Sequence, residues 1–128
     1  MFRAAPMLLL AALVLPQGKW QQIGTTSTGN PVFLDAKSVR KSADGIVTAS
    51  LRVTYATPMD VPGGKVTSAR TVAMFDCAGN KVATKESVLY FNEKKGQEYR
   101  RRTIAKPGSG PAFSSTYADV ALKHLCAK

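Results

Sequence analysis

The clearest pattern in the chain is a strict alternation of apolar and polar positions over residues 46–56. The apolar set comprises Val47, Ala49, Leu51, Val53 and Tyr55. A period of two with many β-branched residues is typical of a strand that lays one face on a core. We therefore predict a long strand here, and we expect Pro58 to end it because proline lacks the N–H that a strand ladder needs.

Residues 66–77 carry a second long strand pattern, and we expect this strand to lie at the middle of an antiparallel sheet. Further patterns predict strands at residues 19–26, 31–36, 81–91 and 97–104. Turn residues such as Gly79 and Asn80 fit short connections between strands. Residues 60–65 are the exception, since they predict a long and mobile loop. The sequence thus predicts an antiparallel sheet of about six strands.

Residues 114–127 change to a helical period. Thr116 and Asp119 have the spacing of a helix start, and Asp119 and Lys123 form an i,i+4 pair on the polar side. The apolar arc opposite that pair contains Tyr117, Ala118, Ala121, Leu122 and Leu125. We expect one C-terminal helix packed on one face of the sheet, which makes the fold class α+β.

The beginning of the chain predicts export. Arg3 precedes an unbroken apolar run over residues 7–15, which suits a secretory signal but is too short to span a bilayer. We expect residues 1–18 to be a signal peptide and residues 19–128 to be a single domain in the periplasm, at the cell surface or in the medium. No transmembrane helix is expected after signal removal. The alternatives are an uncleaved signal anchor and a short N-terminal helix of a cytosolic protein.

Cys77 and Cys126 are the two cysteines of the chain. Cys77 ends the predicted central strand, and Cys126 lies at the margin of the apolar arc of the predicted helix. In an exported chain two cysteines are expected to form a disulfide. That bond would tether the helix to the sheet. The alternative is a pair of buried free thiols.

The central and returning strands are apolar on both faces, although one helix covers only one face of a sheet. The second apolar face contains Val72, Met74, Val88 and Tyr90. It must meet the curl of the sheet itself, a second copy of the chain or a partner. We expect a homodimer through this face.

Charge is concentrated near the last strand. The chain has 18 Lys and Arg residues against 8 Asp and Glu residues, a formal net charge of +10. One cluster comprises Lys94, Lys95, Arg100, Arg101, Arg102 and Lys106. Alternation along a strand places Arg100 and Arg102 on one face and Arg101 on the other.

This basic cluster is a candidate binding patch for an anionic glycan, lipopolysaccharide or an acidic surface of an extracellular protein. Nucleic acid is a poor candidate partner because few aromatic residues accompany the charges and the chain is exported. Two simpler explanations compete with a binding patch. Charged edge strands prevent edge-to-edge pairing, and basic runs are often only a solvated face.

No catalytic, metal or cofactor site is indicated. His124 is the single histidine, and no serine elbow or catalytic cysteine accompanies it. The two cysteines and one histidine lack zinc-site spacing, and the glycines do not form a phosphate loop. We therefore expect a non-enzymatic protein without cofactors.

In order along the chain, these segments resemble the surface-adhesin protein E family of exported bacterial proteins. The matching features are Trp20, FLDAKSVRK with Asp35 and Ser38, LRVTYATP, FDCAGNK with Cys77, SVLYF, PGS and the near-terminal Cys126. The resemblance implies an antiparallel sheet of about six strands with a C-terminal helix tied by a disulfide to its concave face. It also implies a surface or periplasmic binding protein, since the name-giving member of the family is an adhesin for host matrix. Together with the basic cluster, the resemblance predicts an adhesin-like protein that binds host matrix or other anionic macromolecules. The alternative function is a periplasmic envelope-associated or inhibitor-type protein that binds an anionic ligand or a protein partner, and the lack of a lipidation cysteine keeps this alternative open.

Overall fold

The computed structural model describes residues 19–127, so the predicted signal peptide at residues 1–18 lies outside the described residues. The elements are β1 (Trp20–Thr25), β2 (Pro31–Asp35), a 3₁₀ turn (Ala36–Ser38), β3 (Arg40–Lys41), β4 (Ile46–Val61), β5 (Gly64–Asp76), β6 (Lys81–Asn92), β7 (Gln97–Thr103), β8 (Gly110–Pro111) and α1 (Tyr117–Leu125). Within this part of the chain, no helix is both long and apolar enough to cross a membrane.

All strands pair antiparallel in the order β1-β2-β4-β5-β6-β7. The two short strands lie off this path, since β3 pairs with β4 and β8 pairs with β6. The predicted α+β fold, with a sheet of about six main strands and one C-terminal helix, is confirmed.

The prediction that the strand over residues 46–56 ends at Pro58 is wrong. β4 continues to Val61, and its pairing with β5 resumes at Met59 after an irregularity that begins beyond Thr54. Pro58 falls inside this irregularity, where its missing N–H interrupts no ladder hydrogen bond. The predicted long loop at residues 60–65 is also wrong, because Val61 pairs with Gly64 across a two-residue turn. Gly63 in that turn has a φ of 94°, which glycine adopts without strain.

The core lies on one side of the sheet, which we call the helix face. Alternate residues of β4 and β5 supply it, and Leu51, Ala73 and Phe75 are completely buried. Ala121 and Leu122 of α1 complete the cluster from above. The opposite side of the sheet, which we call the outer face, carries the intervening positions of the same strands.

Helix α1 begins as the sequence predicts. The Thr116 hydroxyl accepts a hydrogen bond from the Asp119 N–H, and Asp119 pairs with Lys123 at 3.1 Å. Asp119 is more enclosed than predicted, because its carboxylate also accepts a hydrogen bond from the Ser115 N–H at 2.9 Å. That bond, together with Lys123, holds the pKa of Asp119 below its usual value. The helix start is therefore fixed by its own preceding loop.

The predicted disulfide is confirmed. Cys77 lies directly after β5 and Cys126 directly after α1, and their sulfurs are 2.02 Å apart. The bond joins the C-terminal end of the helix to the sheet and leaves no free cysteine within residues 19–127. The N-terminal end of the helix depends instead on the contacts of its own loop.

Helix α1 packs mainly on β1, β2 and β4. It approaches β1 so closely at Gly24 that a Cβ atom there would lie 2.6 Å from a methyl carbon of Val120. The helix is thus drawn toward one half of the sheet. The helix-face surface formed by β6, β7 and the part of β5 around Ala69 and Thr71 lies beside the helix and not beneath it.

Candidate functional site

The uncovered half of the helix face forms a groove beside the start of α1. Two adjoining cavities of about 330 and 310 Å³ make up this groove. Ser87 and Leu89 of β6 and Tyr117 of α1 line both cavities. Ala69 and Thr71 of β5 lie on the helix side of the sheet and line the first cavity. We call these two cavities together the groove.

One rim of the groove is held by backbone hydrogen bonds. The Ser27 N–H in the β1–β2 turn donates to the Ser115 carbonyl at 3.1 Å. Ser115 has a φ of 66°, a conformation that non-glycine residues adopt only where their surroundings enforce it. The side-chain oxygen of Asn30 joins the same turn to β4 by accepting a hydrogen bond from the Ala56 N–H at 2.9 Å. The groove is therefore largely formed before any ligand arrives.

Two tyrosines stand on the walls of the first cavity. Tyr55 lies near the bulge of β4, and Tyr117 is the first residue of α1. Burial raises the pKa of Tyr55, and the nearby Tyr117 raises it further. The Tyr55 phenol therefore stays neutral at physiological pH. Each tyrosine offers an aromatic surface with a hydroxyl at its end, which suits contact with a partly polar ligand.

The opposite wall of the groove is basic. Arg100 and Arg102 of β7 line the second cavity together with Leu89 and Tyr117. Within residues 19–127 neither guanidinium has an acidic partner within salt-bridge distance, and Arg100 lies against the Tyr99 ring and hydroxyl. These two arginines are the part of the predicted basic cluster that the structure brings to one place.

The rest of the predicted basic cluster is dispersed. Arg101 points to the outer face, where it pairs with Glu98 at 2.6 Å and Glu86 at 3.3 Å. Lys94 and Lys95 lie in the turn before β7, and Lys106 lies beyond its far end. A seven-residue strand separates its two ends by roughly 20 Å. The cluster is therefore not one continuous patch, and its part in binding stays a prediction.

On the outer face, arginines lie against aromatic rings. The Arg70 guanidinium is 5.4 Å from the centre of the Trp20 ring and 5.7 Å from that of Tyr90. Arg52 lies 5.4 Å from the Phe33 ring. These contacts cover part of the apolar surface that the sequence predicts on this side.

Glu93 is the acidic partner that Arg52 and Arg70 share. Its carboxylate, with a side chain only 10% exposed, accepts from Arg52 at 2.8 Å, from Ser68 at 2.9 Å and from Arg70. Burial alone would raise the pKa of Glu93, but the three hydrogen bonds outweigh burial and hold the pKa below its usual value. This network connects β4, β5 and the end of β6, and its role is to stabilise the fold.

The four residues predicted to mediate self-association do share the outer face. Val88 and Tyr90 are buried within the protomer at 3% and 7% exposure, whereas Val72 and Met74 remain partly exposed. Arg70 and Arg101 line a hollow of about 200 Å³ on this face, together with Val72, Val88 and Tyr90. The apolar area open to a second copy is thus smaller than the sequence predicts.

Self-association through this face stays a prediction. If it occurs, Met74→Lys should shift a dimer toward monomer in light scattering over a concentration series, because the lysine would bury a charge at the interface. A Lys85→Glu change on the exposed bulge of β6 should have little effect. A wild-type protein that stays monomeric at high micromolar concentration would contradict the prediction.

The described residues contain no group of three or more His, Cys, Asp and Glu side chains arranged to hold a metal ion. The groove contains hydroxyls, two tyrosines and two arginines but no histidine, cysteine or carboxylate. Such a set of side chains can bind an anion and a polar ligand body. It offers no group poised as a general base near pH 7.

Known proteins are similar to this chain in sequence and in structure. A family model described as Surface-adhesin protein E matches residues 20–127. No curated protein matches the chain in sequence. Crystal form II of Haemophilus influenzae protein E is similar in structure, with a TM-score of 0.60 at 15% identity over 87% of this chain and 89% of that one.

Two further solved structures agree. The selenomethionine form of Haemophilus influenzae protein E gives a TM-score of 0.57 at 14% identity, covering 87% of this chain and 88% of that one. Protein E from non-typeable Haemophilus influenzae gives 0.54 at 14% identity, covering 87% and 77%. At such identities the structural likeness establishes the shared fold and nothing about ligands.

Proposed function

The chain belongs to the surface-adhesin protein E family, and on that premise we propose that it is a non-enzymatic adhesin-type protein that binds an anionic macromolecule. Proteins of this family are exported to the cell surface, and so is this protein. The proposal concerns what the family membership leaves open, namely the class of partner and the surface that meets it. We infer that host-matrix polymers carrying carboxylate or sulfate groups are the partners and that the groove side of β7 contacts them.

The observation that carries this proposal is the pair Arg100 and Arg102. The other basic residues of β4, β5 and β7 are engaged, since Arg52 and Arg70 pair with Glu93 and Arg101 pairs with Glu86 and Glu98. Arg100 and Arg102 lie on an exposed edge strand without acidic partners among residues 19–127. A guanidinium in that state can give its hydrogen bonds to an external anion.

Heparin serves as the probe. Replacing Arg100 and Arg102 together with glutamine should weaken heparin binding about tenfold and make the salt dependence of the affinity shallower, because fewer counterions are released. Titration by fluorescence or calorimetry at several salt concentrations measures both quantities. Thermal unfolding should be unchanged, since neither side chain supports the core.

The matched control replaces Lys37 and Lys41 with glutamine, which removes the same charge from exposed side chains near β3. This control should weaken binding no more than twofold. Equal losses in the two double variants would mean that heparin responds only to net charge, and β7 would then be a protected edge. Arg101 is left in place because its removal would release two carboxylates on the outer face.

A further inference from the structure

We propose that the groove is a binding site for an acidic sugar, a pyranose ring that carries a carboxylate. The carboxylate would lie against Arg100 and Arg102, and the ring would lie along Tyr117 toward Tyr55. This inference rests on the proposed function and deepens it, because it assigns one pocket and one chemical group to the contact with an anionic polymer.

The charge of the groove selects an anion. The chain has 8 acidic residues, all within residues 19–127, and none of them lines either cavity. Arg100 and Arg102 occupy alternate positions of one strand, so their Cα atoms are about 7 Å apart and their side chains leave in the same direction. Both guanidiniums can therefore reach a single carboxylate, and the planar fork of each matches the two carboxylate oxygens.

The walls select a hydroxylated body for that anion. Thr71 and Ser87 are cross-strand neighbours, and both side chains line the first cavity. Their hydroxyls donate and accept hydrogen bonds, as sugar hydroxyls do. An alkyl chain in the same place would leave these hydroxyls without water or partners, which is unfavourable. The rings of Tyr55 and Tyr117 offer the flat apolar surface that the C–H face of a pyranose can cover.

The size of the groove limits the ligand to a short stretch of sugar. Each cavity, at about 330 and 310 Å³, is at the small end of the range for ligand sites. The cavities adjoin through Leu89 and Tyr117, so the site is elongated from β7 toward the β1–β2 turn. One or two rings of a polymer fit such a site, and the remainder of the polymer would stay in solvent.

The experiment is an NMR titration of the folded domain with three probes. These are a disaccharide that ends in glucuronic acid, the same disaccharide ending in glucose, and sodium acetate at equal ionic strength. We expect saturable shifts of the Tyr117 and Leu89 signals with the acidic disaccharide. The neutral disaccharide and acetate should each bind at least tenfold more weakly, because the neutral disaccharide lacks the carboxylate and acetate lacks the sugar ring.

Two single variants locate the site. Arg102→Gln should weaken binding of the acidic disaccharide about tenfold. Arg40→Gln makes the same change at an exposed position of β3 outside the groove, and it should leave the affinity within twofold of wild type. Thermal unfolding midpoints check that both variants remain folded.

Several outcomes would overturn this inference. Equal affinity for the acidic and neutral disaccharides would remove the role of the arginines, and equal affinity for acetate would leave an anion site without sugar recognition. Equal losses in the two arginine variants would reduce the effect to net charge. If heparin affinity depends on Arg100 and Arg102 while no probe shifts the groove signals, the groove inference fails and the proposed function stands. Groove binding without heparin binding would instead support the acidic-sugar site and contradict the binding of a sulfated polymer.

Discussion

Replacing Cys77 and Cys126 together with serine should lower the free energy of unfolding by about 4 kcal/mol. The two residues are 49 positions apart, so the disulfide removes a large amount of loop-closure entropy from the unfolded chain. For a domain of this size the loss corresponds to a fall in the melting temperature of about 15 to 20 °C. Calorimetry or circular dichroism of the oxidised wild type and the double variant measures the difference.

Serine at both positions avoids the unpaired thiol that a single variant would leave. Wild-type protein in reductant should match the double variant, which separates loss of the bond from loss of packing at the sulfurs. If the double variant unfolds within about 1 kcal/mol of the oxidised wild type, the helix does not depend on the tether. In that case its packing on β1, β2 and β4 would hold it alone.

Glu93→Gln should destabilise the protein by about 2 to 3 kcal/mol at pH 7, a typical cost of losing hydrogen bonds to a charged group in a largely buried position. The amide of glutamine has one acceptor oxygen where the carboxylate has two, and its NH₂ would face Arg70 or Arg52, which are also donors. Chemical denaturation at pH 7 measures the loss.

The same variant carries a pH signature. The pKa of Glu93 is lower in the folded protein than in the unfolded chain, so its stabilising contribution is present above the unfolded pKa, near about 4.3. That contribution disappears as the pH falls through the folded pKa. The difference in stability between wild type and Glu93→Gln should therefore shrink from pH 7 to pH 3.

Glu98→Gln is the control for this prediction. Glu98 pairs with Arg101 at an exposed position, and Arg101 keeps the pKa of Glu98 below its usual value. Exposed ion pairs contribute little to stability because water competes for both charges. If Glu93→Gln is no less stable than Glu98→Gln at pH 7, the packing of Arg52 and Arg70 does not depend on the Glu93 carboxylate.

The sequence alone determined the elements that depend on local periodicity. The alternation from Val47 to Tyr55 sets which side of β4 faces the core, because a strand turns successive side chains to opposite faces. The spacing of Thr116 and Asp119 located the start of the helix for the same kind of local reason. The two cysteines, placed at the ends of two apolar elements, were sufficient to predict the bond between them.

Only the tertiary structure decided which half of the sheet the helix covers. An apolar arc indicates that a helix packs on a sheet, but the arc contains no information about the strands beneath it. The close approach of Val120 to Gly24 draws α1 toward β1, and this contact joins residues almost a hundred positions apart. The groove exists because the helix covers only that half of the sheet. Tyr117, which the sequence predicts as a core residue, therefore lines the groove.

The sequence likewise could not predict which basic residues have acidic partners. Alternation correctly separated Arg101 from Arg100 and Arg102, but strand register decides which charges meet. Cross-strand pairing places Arg52 beside Arg70, and Glu93 reaches both from the end of β6. Arg100 and Arg102 keep no such partner among residues 19–127, because the strand that would supply one is absent at the sheet edge. Local pattern fixes the direction of a side chain, whereas its partners depend on contacts between strands distant in sequence.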